Sequence, residues 1–556
     1  MKKILFIIPP YRTYESYVKP AFNESHYIKK DINGNEIYVT NILTDMPLGV
    51  LSLSAYLKRY VSDINIELLD FNVELNKMAV LDFPNYDHFF ERILLKYNQN
   101  DFDYIGISAL FISQFSSLIT LGNVIKRIFN RAFLVAGGGI PTTMYKDIYQ
   151  KTNDFDALCL GEGEIPWANL LNATKRDEYL LNASSWMVKR KIESQYTPQL
   201  ECVENLDEIP FLDYDLCNLD DYAMSPTVKR IGGNAEEKQL PNFHYMSSRG
   251  CPNKCCFCAS HAVHGRTMRY YSIERVKEDL TKLKTKYKTQ NIVMQDDHFM
   301  ADKKRAYKIL EIMHDLELIP VFQNALAMYA LDHDFLAKLV EYNIRSLVLP
   351  IESGSQRVLR DIMHKPLNLT IIERVVNDCR ELGIHTDANI LIGLPGETKQ
   401  DIEDAISFLK KIPVSWYYIY IASPLAGSEM FDICKTHGYL GEGYYETDFK
   451  KACVSTEDFS AEYILQKSYE MNLELNFVNN SDYRLGNYEI ALKRFLQVIE
   501  LAENHFWANY MCALCYKKMG NIEKYSKYFD KSMKIAENDS QQKRYYDLFC
   551  AQLKEE

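Results

Sequence analysis

The stretch SSRGCPNKCCFCAS, residues 247–260, sets four cysteines within eight positions. Cys251, Cys255 and Cys258 have the spacing C-x3-C-x2-C. Three thiolates closing on one [4Fe–4S] cluster leave one iron without a protein ligand, and an open iron can chelate a substrate or cofactor. Cys256 sits one position off this register and is expected to point away from a cluster held by its neighbours. Gly250 and Pro252 permit the tight turns that such close ligation requires. A zinc site is the alternative, with His261 or His264 as the fourth ligand.

Working outward, the loop follows a candidate strand at 244–248 that opens a βα series. Further strands are expected at 291–295, 321–325, 346–351, 387–392 and 416–422, with helices at 272–287, 301–316, 332–342 and 371–382 between them. Six βα units predict a partial (βα)6 barrel with its functional loops at the carboxyl ends of the strands. Upstream, buried strands at 3–8, 64–70, 104–108, 133–138 and 157–161 alternate with helices such as 48–60 and 116–128. That alternation predicts an α/β, doubly wound, Rossmann-like parallel sheet, whose ligands sit at the strand carboxyl ends.

The expected organisation is a Rossmann-like domain over 1–180, a linker over 181–240 and the barrel over 241–425. A helical, substrate-covering region (426–480) and a helical tail (481–556) follow. In the tail Gly486 and Gly520 are 34 residues apart, as are Asn487 and Asn521, and Phe495 and Phe529. That is the period of tetratricopeptide hairpins. Cys512 and Cys515 form C-x2-C within this helical repeat and read as buried packing residues.

Composition bounds the function classes. Apolar residues make up 47% of the 556 and charged residues 25%, an ordinary globular balance. A net charge of −11 argues against nucleic acid as the main partner. No stretch approaches the ~20 apolar residues needed for a membrane span. The run after Lys2–Lys3 stops at Pro9–Pro10, too short for a secretion signal. Thirteen cysteines without such a signal fit a reducing, cytoplasmic setting and metal chemistry.

The cysteine loop, with Phe257 before its last cysteine, resembles the signature of radical S-adenosylmethionine (SAM) enzymes. MQDDHF (294–299), PIESGSQRVLRDIMHK (350–365) and NILIGLPGET (389–398) resemble further motifs of that family, in the same order along the chain. The resemblance implies a cluster on Cys251, Cys255 and Cys258, with SAM on the open iron. It implies SAM contacts at Phe257, Gln295, Asp296, Glu352, Ser353, Gly393 and Leu394. Reductive cleavage of SAM would give a 5′-deoxyadenosyl radical. The electron would come from an external donor such as flavodoxin or ferredoxin.

MPLGVLSLSAYLKRY (46–60), AGGGIPTTM (136–144) and LGEGE (160–164) resemble the cobalamin-binding domain fused to many such enzymes, the class B methyltransferases among them. Contacts are implied at Pro47, Leu48, Gly49, Ser108, Phe111, Gly137, Gly138, Gly139, Gly161 and Glu162. Glycines at strand ends let backbone approach a bulky planar ligand, or else serve only as tight βα turns. There is no D-x-H-x-x-G motif, so no histidine is offered in the usual way below the cobalt, and Ile140 stands where relatives often carry histidine.

The resemblance therefore implies cobalamin-dependent methyl transfer to an unactivated carbon of a small-molecule, lipid or peptide substrate. A cyclase or rearrangement enzyme with the same cofactors is the alternative. Methylthiolation would need a second cluster upstream, yet Cys159, Cys202 and Cys217 are spaced by 43 and 15 positions. A scaffold with degenerate cofactor sites is a third reading, which the intact cysteine trio opposes. No catalytic side chain is assigned.

Overall fold

The structure is a computed structural model, and it describes all residues except 21–25, 43, 223–241, 323, 325, 442–443, 447–451 and 554–556. Much of the expected linker, and two positions of the strand expected at 321–325, thus lie outside the described residues. The chain divides into two compact units. The first holds 1–324, 424–437 and 442–448; the second holds 325–423, 438–441 and 449–556. The boundary after Asn324 falls inside the stretch read as one barrel.

In the first unit a six-stranded sheet has the order β2-β1-β3-β4-β5-β6. Its strands are β1 (Lys2–Ile8), β2 (Ile64–Asp70), β3 (Tyr104–Ser108), β4 (Phe133–Gly137), β5 (Ala157–Cys159) and β6 (Trp186–Met187). All pairs are parallel except the last, where β6 closes the edge antiparallel to β5. Ile4–Ile8 of β1 are all buried, as a strand covered on both faces requires. This is the expected doubly wound sheet. A small sheet built on the hairpin His26–Asp31/Glu36–Thr40 is added to it.

The same unit carries a second parallel sheet, β7 (Phe243–Tyr245), β10 (Asn291–Met294) and β11 (Ile319–Phe322). Between β7 and β10 the short strands β8 (Ser248–Arg249) and β9 (Arg269–Tyr270) pair antiparallel and bracket the cysteine loop. The second unit holds a three-stranded parallel sheet of β12 (Ser346–Glu352), β13 (His385–Ile392) and β14 (Trp416–Ile421). The six expected strands are therefore present as two sheets of three.

Local chemistry starts the helices that accompany these two three-stranded sheets. Ser272, Asp302, Asp332, Asn368 and Thr398 each accept a backbone N–H from the first turn of the helix that follows. Thr398 and Asp401 complete a reciprocal capping box.

The C-terminal region of the second unit is helical: Tyr488–Leu501, Phe506–Lys518, Ile522–Asn538 and Ser540–Phe549. Gly486 and Gly520 take left-handed φ of 81° and 77°. After each, Asn487 and Asn521 donate N–H to the carbonyls of Asp482 and Tyr516. Both chain reversals are thus the same glycine-terminated cap. Cys512 and Cys515 are fully buried beside Phe506, Trp507 and Phe495. The edge of β14 is closed by Asn476, whose amide accepts from Tyr417 N–H and donates to Tyr417 C=O, both at 2.7 Å.

Candidate active site

The cysteine loop is set by a backbone that only glycine permits. Gly250 has φ 92°, and a Cβ there would lie 2.3 Å from the carbonyl oxygen of Thr267. Its N–H donates to Asp297 at 3.0 Å. Next along the chain, Cys251 N–H donates to Gly265 C=O, and Cys258 N–H turns back onto Cys255 C=O at 3.1 Å. Cys251, Cys255 and Cys258 are part-exposed, whereas Cys256 is 4% exposed. Burial pushes the Cys256 thiol up to about 12, and its carbonyl takes the N–H of Met430 at 2.9 Å. None of the thirteen cysteines is in a disulfide. Three accessible thiols on a rigid turn, with the fourth turned inward, suit a three-thiolate cluster. Among the described residues no group of three or more His, Cys, Asp or Glu side chains is drawn together closely enough to hold a metal ion, so the three thiols share one loop without converging on one point.

At the end of β10, Asp296 is buried and accepts hydrogen bonds from Ser247 N–H (3.1 Å), Ser247 Oγ (2.7 Å) and Ser248 Oγ (2.5 Å). Burial raises its pKa, opposed by those hydroxyls. Asp296 therefore ties β10 to the segment entering the cysteine loop. Gln295 bonds through Nε2 to Nδ1 of His244 at 2.9 Å, and His244 Nε2 stands 3.5 Å from Asp45. Phe257 is half-buried on the loop itself.

In the second unit, Glu352 ends β12 with φ 65°, a left-handed conformation rare for a residue with a side chain. Its carboxylate pairs with Lys365 at 3.1 Å. Ser353 is buried and its Oγ accepts Ser355 N–H. After β13, Gly393 and Leu394 donate their N–H groups to Glu397 at 2.6 and 3.2 Å. Gly393 is left-handed (φ 88°), and a Cβ there would meet Ile464 at 2.9 Å. Glu397 is 1% exposed, and burial lifts its carboxyl to about 7 despite those two N–H bonds.

The carboxyl edge of the six-stranded sheet gathers the other candidates. Pro47 caps the helix Leu48–Tyr60, and Gly49 in its first turn faces open space. Ser108 ends β3; beyond it Leu110 and Phe111 are 52% and 40% exposed, large apolar side chains at the sheet's carboxyl edge. Gly137 packs loosely, 3.5 Å from Cys159 C=O for a built Cβ. Gly138 and Gly139 do something else. Their Cβ atoms would fall 2.7 and 2.8 Å from the carbonyls of Ala109 and Leu110, and Gly138 has φ 97°. Those two glycines are demanded by backbone passing backbone. Gly161, at φ 74°, sits under Leu200.

Glu162 is 4% exposed and both its oxygens are engaged. Arg269 binds it at 2.6 and 3.0 Å, Arg249 at 3.1 Å, His264 at 3.2 Å and Val203 N–H at 3.1 Å. Burial would raise its pKa, but Arg249, His264 and Arg269 outweigh it and hold the carboxylate ionised. Neither Arg249, Arg269 nor Glu164, which completes the network, was among the residues singled out from sequence. The signal available was two arginines flanking the cysteine loop and two glutamates in LGEGE.

Residues 245–409 match the Radical SAM superfamily and residues 36–171 match the B12 binding domain. The chain is 27% identical over 66% of its length to an uncharacterized methyltransferase from Pyrococcus horikoshii, covering 77% of that protein. It is 25% identical over 77% of its length to cytidylyl-2-hydroxyethylphosphonate methyltransferase from Streptomyces wedmorensis, covering 86% of it. An anaerobic magnesium-protoporphyrin IX monomethyl ester cyclase from Rubrivivax gelatinosus is 23% identical over 54% of this chain and 53% of its own.

Among solved structures, the cobalamin-dependent SAM radical enzyme OxsB superposes with TM-score 0.60 at 13% identity, over 99% of this chain and 84% of its own. The radical SAM methyltransferase TsrM from Kitasatospora setae superposes with TM-score 0.54 at 14% identity, over 79% and 76%. The chain thus matches a B12 binding domain followed by a radical SAM domain, and the cofactors these matches imply are cobalamin, a [4Fe–4S] cluster and SAM.

Proposed function

We propose that the protein is a cobalamin-dependent radical SAM methyltransferase acting on an unactivated carbon. The observation that carries this reading is the coexistence, in one unit, of a three-thiol loop and a sheet edge bearing exposed apolar side chains. When bound, the cluster with SAM supplies a hydrogen-abstracting radical, and cobalamin supplies the methyl group. In this reading Cys251, Cys255 and Cys258 hold the cluster, and Cys256 packs behind it. The residues assigned to SAM in this reading are Phe257, Gln295 and Asp296 of the first unit and Glu352, Ser353, Gly393 and Leu394 of the second. Asp296 acts by orienting the loop entrance through Ser247 and Ser248, and Glu397 by fixing the Gly393–Leu394 turn.

Pro47, Leu48, Gly49, Ser108 and Phe111 face the corrin, with Gly137–Gly139, Gly161 and Glu162 shaping the edge beneath. The five-part division of the chain and a tetratricopeptide-like tail belong to the same reading; the matched caps at Gly486 and Gly520 support the tail. The substrate is a small molecule, lipid or peptide, the electron arrives from an external donor, and the protein works in the cytoplasm without nucleic acid. Among the described residues no helix is long and apolar enough to cross a membrane.

A cyclase or rearrangement enzyme is the second reading, favoured by the likeness to the Rubrivivax gelatinosus protein. Product analysis under anaerobic conditions with methyl-labelled SAM separates the two. Label in a product one methylene heavier than its substrate supports methyl transfer; an unlabelled isomer or oxidised product sinks it.

A further inference from the structure

Both ends of the cysteine loop are gripped by the sheet edge that carries LGEGE. Arg249 lies two residues before Cys251, and its Nη2 donates to Glu164 at 2.7 Å and to Ser52 Oγ at 3.0 Å. Ser52 Oγ in turn donates to Glu164 at 2.5 Å. Through Nη1 the same guanidinium reaches Glu162 at 3.1 Å. Arg269, its partner across the β8–β9 pair, binds Glu162 with both terminal nitrogens. It also donates to Val203 C=O (2.7 Å) and His264 C=O (3.0 Å). His264 closes the short helix that follows Cys258 and contacts Glu162 through Nδ1.

Every member except His264 is nearly sequestered from solvent: Ser52 2%, Glu162 4%, Glu164 3%, Arg249 6% and Arg269 7% exposed. Two carboxylates and two guanidiniums balance in charge; Arg269 binds Glu162 as a two-pronged fork, and Arg249 bridges Glu162 and Glu164 with one nitrogen on each. Buried, fully partnered networks of this kind have one good arrangement and hold it, because displacing any member strands a charge. His244 also bonds Gln295 at the end of β10 and stands 3.5 Å from Asp45, in the segment before the Leu48–Tyr60 helix.

We propose that Glu162 and Glu164, acting through Arg249 and Arg269, are positioning residues that lock the cysteine loop to the corrin-binding sheet edge, so that loading one cofactor site strengthens the other. The inference rests on the reading of Cys251, Cys255 and Cys258 as cluster ligands and of the sheet edge as the cobalamin site. Linkage makes it measurable: if the network transmits the order of one site to the other, the cluster raises cobalamin affinity and cobalamin steadies the cluster by the same factor.

The test titrates hydroxocobalamin into anaerobic protein, with and without reconstituted cluster, for the native chain, Glu162→Gln, Glu164→Gln and the milder Ser52→Ala. The native chain is expected to bind cobalamin about tenfold more tightly when the cluster is present. In the glutamine variants that ratio falls towards one, although iron still loads; Ser52→Ala falls between. A network that merely stabilises the fold would lower the melting temperature of the variants and leave the ratio unchanged, which overturns the proposal. A native ratio of one overturns it too. Should a glutamine variant fail to fold, Ser52→Ala decides, since it removes one hydroxyl and no charge. Native protein that takes up neither iron nor cobalamin would instead refute the functional reading beneath the inference.

Discussion

Gly138 and Gly49 are both glycines proposed to line the cobalamin site, yet the structure gives them opposite physical roles. Gly138 combines φ 97° with a built Cβ 2.7 Å from Ala109 C=O. Gly138→Ala should cost roughly 3 kcal/mol or more, visible as a lower midpoint in chemical denaturation. Gly49 lies in a helical first turn facing open space. Gly49→Ala should leave stability unchanged or raise it by about 0.5–1 kcal/mol, while weakening cobalamin binding if the corrin approaches there.

Glu397 makes a prediction of a different kind. Its carboxyl is raised to about 7 from an ordinary 4.5. The folded state therefore holds a proton that the unfolded state has lost, and stability falls as pH rises from about 4.5 to about 7. The size is about 3 kcal/mol across that window. Glu397→Gln should flatten this part of the stability–pH curve relative to the native chain; parallel curves would refute the assignment.

At the scale of elements, periodicity and cap chemistry were legible and edges were not. The buried runs at 3–8, 64–70 and 104–108 appear as β1, β2 and β3 because continuous apolar segments between helices have few alternatives. Strands β4 and β5 end earlier than expected, at Gly137 and Cys159, because positive-φ glycines at 138 and 161 break the ladder. The hairpin 26–40 was missed although DINGNE carries its turn signal, Asn33–Gly34, with Gly34 at φ 83°. The two-residue strands β6, β8 and β9 are too short for any pattern to reveal.

The helical region before the tail shows what pattern cannot supply. Asn476 reads as one polar residue in a helix, yet it takes the place of a neighbouring strand for Tyr417. Asn476→Ala should strand a buried N–H and C=O on β14 and cost about 3 kcal/mol, measurable by denaturation. Hydrogen exchange at Tyr417 should accelerate with it.

At the scale of the whole molecule, the order of motifs along the chain was the most informative signal. C-x3-C-x2-C, MQDDHF, PIESGS and GLPGET fall at or just beyond strand ends: β7, β10, β12 and β13. No single one decides the chemistry, but a loop, two strand-end carboxylates and a glycine turn in sequence do restrict it. What sequence could not give was the pairing of distant charges. Glu162 is 87 residues from Arg249 and 107 from Arg269, and only the folded backbone brings them together. At Gly138 and Gly139 the close passage of the Ala109–Leu110 backbone, invisible in the sequence, accounts for glycine.

The most direct test of the account is metal analysis of the native chain, purified and reconstituted without oxygen in the presence of hydroxocobalamin. The account predicts about four irons and one cobalt per chain, with the iron lost when Cys251, Cys255 and Cys258 are replaced by alanine. Native protein that takes up neither metal in stoichiometric amounts, or iron that persists in the triple variant, would contradict it.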